Sequence, residues 1–321
     1  MDKTLKSAPL AAYAVKHSTD VRMKSSSGGM FTALSDYILQ NGGKIYGAAF
    51  DENMHLRHVA ASTPQERDRM RGAKYIQSDI SGVFDQIRTD LENNLPILFV
   101  GTPCQVSAIK KTVGNNNNLY TADLICHGAP NPAVWEKYIN YLQKKYGKKA
   151  TDFSFRNKDI AWRKYSGKIT FEDGTVMANN NLLNAYCELF SYDLIMRDAC
   201  EKCPFANLSR VGDITIGDFW GIENVLPKID DNAGVSAVLI NSENGQKLFN
   251  LVKTNLEVFE VTATDIQRKQ PNLKNPSKAS TKAAQFKADF NTLPFKKVLK
   301  KYTRVGLRRR LIDLIKGVLK R

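Results

Sequence analysis

Residues 96–105 read PILFVGTPCQ. Pro96–Val100 is an unbroken apolar run of strand length, the pattern of a parallel strand covered on both faces. It stops at Gly101-Thr102-Pro103, and a helix is expected to follow through Lys111. Cys104 therefore falls at the carboxyl end of a strand and the start of a helix. Open α/β sheets place their ligands at that edge, and the free N–H groups of a helix start favour a thiolate there.

The same arrangement returns at residues 119–128, LYTADLICHG. A strand over Leu119–Ile125 leads to Cys126 at a turn, and Pro132 opens a helix to about Tyr146. If the two strands run parallel in one sheet, Cys104 and Cys126 share an edge. Two more thiols come from Cys200-Glu201-Lys202-Cys203. Behind them runs Asp213-Ile214-Thr215-Ile216-Gly217-Asp218-Phe219-Trp220-Gly221, an alternating strand that ends in a glycine-bounded turn. Cys187, inside a helix expected over Leu182–Met196, has no partner spacing and reads as a core or surface thiol. Four thiolates suit a 4Fe-4S cluster. They also suit structural zinc, which more often draws on two Cys-x-x-Cys knuckles. A redox dithiol at Cys200 and Cys203 fits less well, because a strand and not a helix follows the pair.

Outward from these turns the chain alternates strands and helices. A strand over Leu10–Val15 precedes Lys24-Ser25-Ser26-Ser27-Gly28-Gly29-Met30-Phe31. The serines are natural N-caps for a helix carrying Phe31, Leu34 and Ile38, and a small-residue turn of this kind leaves N–H groups to meet an anion. Strands are expected at 44–50 and 55–61, and helices at 64–71 and 79–93. The loop Gly72-Ala73-Lys74-Tyr75-Ile76-Gln77-Ser78 offers one cation and one aromatic ring. Residues 151–178 read as short antiparallel strands. Residues 235–240 and 256–261 read as further strands with a helix between them. Residues 272–295 read as a surface connector with few apolar anchors, and the tail from Phe295 as a basic amphipathic helix.

The 321 residues fit one large or two ordinary domains. Five cysteines are too few for a disulfide framework and point to a reducing, cytoplasmic setting. No apolar run reaches the ~18 residues of a membrane span, and no signal peptide is expected. The formal charge is +15, but the last 26 residues carry +10 of it. The body is thus only modestly basic, which argues against a nucleic-acid partner. The tail's mixture of cations and apolar residues suits peripheral contact with an anionic membrane, at the inner face, or a docking or solvated helix.

Six stretches, in order, resemble the coenzyme F420 hydrogenase/dehydrogenase beta-subunit family. They are residues 25–31, 42–48, 72–78, Gly101-Thr102-Pro103-Cys104-Gln105, Asp123-Leu124-Ile125-Cys126-His127-Gly128, and Cys200 through Glu223. The resemblance implies an iron–sulfur flavoprotein that passes electrons between a 4Fe-4S cluster, FAD and a hydride carrier, either coenzyme F420 or another acceptor. It implies cluster ligands at Cys104, Cys126, Cys200 and Cys203. It implies flavin contacts at Ser27, Gly28, Gly29, Lys74, Tyr75, Gln77, Gly101 and Thr102. Hydride transfer would occur at the flavin, with no protein nucleophile assigned. Many relatives carry a ferredoxin segment; this chain has no cysteine before Cys104, so a separate ferredoxin-like protein is expected as electron donor or acceptor. The family also includes bacterial members associated with surface-polysaccharide biosynthesis.

The expected fold is mixed α/β. An N-terminal domain would span 8–94, an iron–sulfur and flavin domain with a mixed sheet 95–270, and a connector with the basic tail 271–321. The other reading is a non-catalytic accessory protein of the same fold, with zinc or nothing in the cysteine site.

Overall fold

Within Ile97–Gly101 every residue is buried, and the two faces of the strand go to different layers. Leu98 and Val100 pack with Leu34, Ile38, Leu248 and Phe249 of the helices Met30–Gln40 and Glu243–Val252. Ile97 and Phe99 pack with Ile87, Leu91, Val106 and Ile109 of the helices Phe84–Glu92 and Pro103–Val113. The unbroken apolar run thus records helices on both sides of the sheet.

The computed structural model describes residues 8–114, 116–159 and 161–307. In chain order the strands are β1 (Ala11–Lys16), β2 (Lys44–Phe50), β3 (Leu56–Ala61), β4 (Ile97–Gly101), β5 (Leu119–Leu124), β6 (Ala150–Ser154), β7 (Lys168–Phe171), β8 (Val176–Ala178), β9 (Ile214–Asp218), β10 (Ser236–Ile240) and β11 (Glu257–Val261). Among the described residues, eight form one sheet in the order β11-β1-β10-β9-β5-β4-β2-β3. The centre, β2-β4-β5-β9, is parallel, and β3 on one flank and β10, β1 and β11 on the other each pair antiparallel with their neighbours. This is the mixed α/β fold expected. Gly101 stands opposite Asp123, so β4 and β5 end level and the turns carrying Cys104 and Cys126 leave the same edge.

A smaller antiparallel sheet, β6-β7-β8, covers a second core. Trp135 and Tyr138 from the helix Pro132–Tyr146 meet Phe153, Phe155 and Tyr186 there. Trp135 also donates to the Met54 carbonyl (2.7 Å), which fastens this core to the turn between β2 and β3.

Four expectations need correction. The helix carrying Cys187 spans Asn181–Ser191 and stops well short of Met196, with Asp193 in the left-handed region (φ 54°). The serines at 25–27 do not cap the helix Met30–Gln40; its N-cap is Gly29, at φ 92°, with no side-chain cap. The stretch 272–295 is no bare connector. It forms the helix Ala283–Thr292, with Phe286 buried in the second core, and Asn272 and Leu273 are buried as well. The tail begins as the helix Phe295–Tyr302, whose Val298 and Leu299 are fully buried in that same core. Asp289 accepts from Tyr302 Oη (2.7 Å) and pairs with Lys301 Nζ, so this helix belongs to the body. The remainder of the basic tail, 308–321, lies outside the described residues. Among the described residues no helix is long and apolar enough to cross a membrane.

Candidate functional site

The edge where β4 and β5 end gathers four thiols. Cys104 sits in the first turn of the helix Pro103–Val113 and is exposed; Cys126, Cys200 and Cys203 are half-buried. Burial is the first cause that pushes the Cys126 thiol up to about 12, and the neighbouring thiols of Cys104, Cys200 and Cys203 add to it. Cys104, Cys200 and Cys203 therefore all lie within electrostatic reach of Cys126. Among the described residues no three His, Cys, Asp or Glu side chains form a ready-made site for a metal ion. Cys187 stands apart, fully buried in the second core with its thiol on the Phe155 carbonyl.

Two devices bring the Cys200 loop to the Cys126 turn. The first is backbone pairing: Asn131 donates to the Ile195 carbonyl (3.0 Å) and Arg197 to the Ala129 carbonyl (3.1 Å). Ala129 N–H points at Cys200 Sγ (3.4 Å), and a Cβ on Gly128 would stand 2.6 Å from Met196 Sδ and 3.5 Å from Cys200 Cβ. The backbone here also lies at φ 148°, where any other residue is strained. The second is Arg210. It donates to Asp123 Oδ1 (2.8 Å), to the Leu124 carbonyl (3.1 Å) and to the Phe205 carbonyl (2.8 Å), binding the loop after Cys203 to β5. Asp123 also accepts from the N–H groups of Val211 and Gly212.

His127, next to Cys126, lies in a polar line that sequence reading missed. Its Nε2 meets Asp193 Oδ1 at 2.5 Å and its Nδ1 meets Ser277 Oγ at 3.1 Å, while Asn272 Nδ2 donates to that hydroxyl at 2.6 Å. Asn272 and Ser277 come from the stretch that reads as a connector. Polar residues without apolar periodicity carry no sequence signal for such a role.

The Gly217–Gly221 turn also gains a role. Asp218 holds Arg156 Nη1 (3.3 Å) with one oxygen and Trp162 Nε1 (2.9 Å) with the other. Trp162 stacks on Trp220 (5.1 Å), and the Arg156 guanidinium lies 5.0 Å from the Trp220 ring and 5.5 Å from that of Tyr165. Burial alone would lower the Arg156 pKa; Tyr75 and Asp218 outweigh it and hold the pKa above its ordinary value.

Arg156 faces a cleft of about 760 Å³ between the small sheet and the segments 23–26, 50–52 and 65–72. That volume is in the range of cofactor and small-molecule sites. Lys24, Arg69, Arg71, Lys158 and Lys168 line it too. Arg71 ion-pairs with Asp68 (3.1 Å), yet its Nε is buried with no hydrogen-bond partner among the described residues. Burial and the nearby Arg67 lower the Arg71 pKa, so an anion in the cleft would relieve both.

None of the eight expected flavin contacts lines this cleft; their neighbours Ser25, Ser26 and Gly72 do. Ser27 Oγ donates to the Val235 carbonyl (2.7 Å), and Gly28 N–H is spent on Ser236 Oγ (2.9 Å). A Cβ on Gly28 would stand 2.2 Å from the Val15 carbonyl, so this glycine serves close packing between β1 and β10. Gly29 begins the next helix. Lys74 gives Nζ to the Met70 and Arg71 carbonyls (3.1 and 2.9 Å), and burial lowers its pKa to about 8. Tyr75 stacks on Phe190 (4.6 Å). Gln77 lines a second hollow, of about 420 Å³, beside Trp135 and Ser78. Gly101 and Thr102 lie at the thiol edge, where Thr102 Oγ1 stands 3.1 Å from Cys104 Sγ.

Residues 96–265 match the family model that describes the C terminus of the coenzyme F420 hydrogenase/dehydrogenase beta subunit. No curated protein matches the chain by sequence. Among solved structures, the chain is similar to one from the F420-reducing [NiFe] hydrogenase complex of Methanosarcina barkeri. The identity is 18% and the TM-score 0.55, over 86% of this chain and 92% of that one, a likeness of fold.

Proposed function

Since the chain belongs to the family of coenzyme F420 hydrogenase/dehydrogenase beta subunits, we propose that it is the electron-transfer subunit of an oxidoreductase, with a 4Fe-4S cluster held by Cys104, Cys126, Cys200 and Cys203. The observation that carries this reading is the gathering of Cys104, Cys200 and Cys203 around Cys126 at one sheet edge. Four soft donors, two from strand ends and two from one loop, are the donor set such a cluster takes. When bound, the cluster supplies one-electron chemistry and a flavin the switch to hydride chemistry.

The remaining roles fall to the chain's own side chains. Cys104 is exposed, so electrons from a ferredoxin-like partner have their shortest approach on that side. The cleft is the place for the phosphate-bearing groups of FAD or of the hydride carrier. Arg71, Lys24 and Arg69 offer the positive charge, and Arg156 presents a cation locked by Asp218 and flanked by rings. Ser27, Gly28, Gly29, Lys74 and Tyr75 would then act from behind the cleft by shaping its wall, Gly101 and Thr102 from the side of the thiols, and Gln77 from the second hollow.

Anaerobic purification followed by an absorption spectrum and assays of iron, sulfide and flavin tests the proposal. The expected result is a brown protein with about four irons per chain. A protein that stays colourless after anaerobic reconstitution, or that holds one tight zinc and no flavin, would overturn it.

A further inference from the structure

Cys104 ends a chain of hydrogen bonds whose direction can be worked out proton by proton. At the far end, His58 Nε2 lies 3.0 Å from the Val100 carbonyl, which can only accept, so Nε2 carries the hydrogen. His58 is buried, and burial keeps the ring neutral by lowering its pKa to about 4. Nδ1 is then a bare acceptor, and Ser78 Oγ, 2.9 Å away, must donate to it. Ser78 Oγ has no other hydrogen, so it accepts from Gln105 Nε2 (2.9 Å), which also donates to the Ser78 carbonyl (3.1 Å). That carbonyl and the Thr102 N–H, which donates to Gln105 Oε1 (3.0 Å), together fix which end of the Gln105 amide is oxygen. The Thr102 hydroxyl donates to the same Oε1 (3.0 Å). With its single hydrogen on Oε1, the 3.1 Å contact with Cys104 Sγ is made by the thiol's own hydrogen.

A thiolate ligand has no hydrogen to give. Resting on the reading of Cys104 as a cluster ligand, we propose that Thr102 is a positioning residue whose hydroxyl turns from Gln105 to donate to the Cys104 sulfur when that sulfur is ligated. The exchange is favourable. Gln105 Oε1 keeps the Thr102 N–H, so no buried acceptor is stranded, and a neutral hydrogen bond is replaced by one to an anionic sulfur. Pro103 stands between the two residues and has no N–H to offer, so the hydroxyl is the near donor on this side. Hydrogen bonds to ligand sulfurs stabilise the more negative, reduced cluster and raise its potential. The buried residues His58 and Ser78 fix the orientation of the Gln105 amide, the acceptor that the Thr102 hydroxyl leaves.

The test is the cluster's midpoint potential, read by EPR-monitored redox titration of the reconstituted full chain at matched iron content. Thr102→Val is expected to shift the potential downward, and Thr102→Ser to leave it near the wild-type value. A third variant, Gln105→Met, keeps the hydroxyl and removes its competing acceptor, so the potential should not fall. Equal potentials in wild type and Thr102→Val, or a fall in Gln105→Met, would overturn the inference while leaving the cluster reading intact. A wild-type chain that takes up no iron would overturn both.

Discussion

Arg210 and Asp123 form a fully enclosed ion pair at 2.8 Å, with side chains 2% and 0% exposed. One partner stands on the loop that follows Cys203, the other on the strand that leads to Cys126. Breaking such a pair from one side strands a buried charge, at a cost of ~3–5 kcal/mol. Arg210→Met should lower the urea midpoint accordingly, and the loss should come with poor iron retention, because the Cys200–Cys203 loop is no longer bound to β5. A stable variant with full iron content would contradict this account of how the corner is assembled.

Among the cysteines, position should outrank residue type. Cys203→Ala is expected to lose the cluster's absorption and most of its iron. Cys187→Ala should keep both, since its thiol is enclosed in the second core. It should still cost ~1 kcal/mol or more in stability, for the cavity left behind. Iron assay and thermal unfolding of the two variants separate these effects.

The neutral His58 predicts a pH dependence. Its folded pKa of about 4 lies below the ordinary 6.5, so in acid the unfolded chain takes up a proton that the folded chain refuses. Stability should be full above pH 6.5 and decline as pH falls towards 4, by at most ~3 kcal/mol from this group. Burial is the main cause; Val100 and Asp79 oppose it, and Lys74 adds to it. Urea midpoints at a series of pH values should show the decline in wild type. His58→Phe should be less stable at neutral pH and show a flatter slope over this window.

The cleft predicts a ligand phenotype separate from the cluster. Arg71→Leu should weaken FAD or carrier binding by about tenfold, the effect of losing one charge-assisted contact, while the iron content stays unchanged. Fluorescence titration of the flavin reads the affinity. Unchanged binding in both Arg71→Leu and Lys24→Ala would move the phosphate groups elsewhere.

For the tail, the informative cut lies after Leu307 and not near Phe295, because Val298 and Leu299 are core residues. A chain ending there is expected no longer to float with anionic vesicles. Equal flotation would assign any membrane binding to the body.

Much of this arrangement is legible in the sequence because its signals are local. The apolar run at Pro96–Val100 and its echo at Leu119–Ile125 announce parallel strands, and a cysteine after each announces an edge. Cys187 is separable by its lack of a turn. What escapes is non-local or non-periodic. The serines at 25–27 look like caps, but Ser25 donates to the Val21 carbonyl, Ser26 accepts from the Ala73 N–H and Ser27 donates to the Val235 carbonyl, the last two far away in sequence. Arg210, Asn272 and Ser277 find their partners 87, 145 and 150 residues away, and nothing in their neighbours' periodicity marks them. Leu299 reads as part of a free amphipathic tail because a stripe that faces solvent or membrane and one that faces a core have the same spacing.

The order of strands in the large sheet has a consequence for biosynthesis. β1 leaves the ribosome long before its neighbours on both sides, β10 and β11, which are made more than two hundred residues later. Until then its apolar edge has no partner, which is where a nascent chain of this kind is most exposed to aggregation. The four thiols and the strands that carry them are all complete once β9 has been made. The corner that gathers the thiols is therefore translated in full while β1 is still waiting, and a short-lived holding factor acting on β1 would protect the chain through that interval.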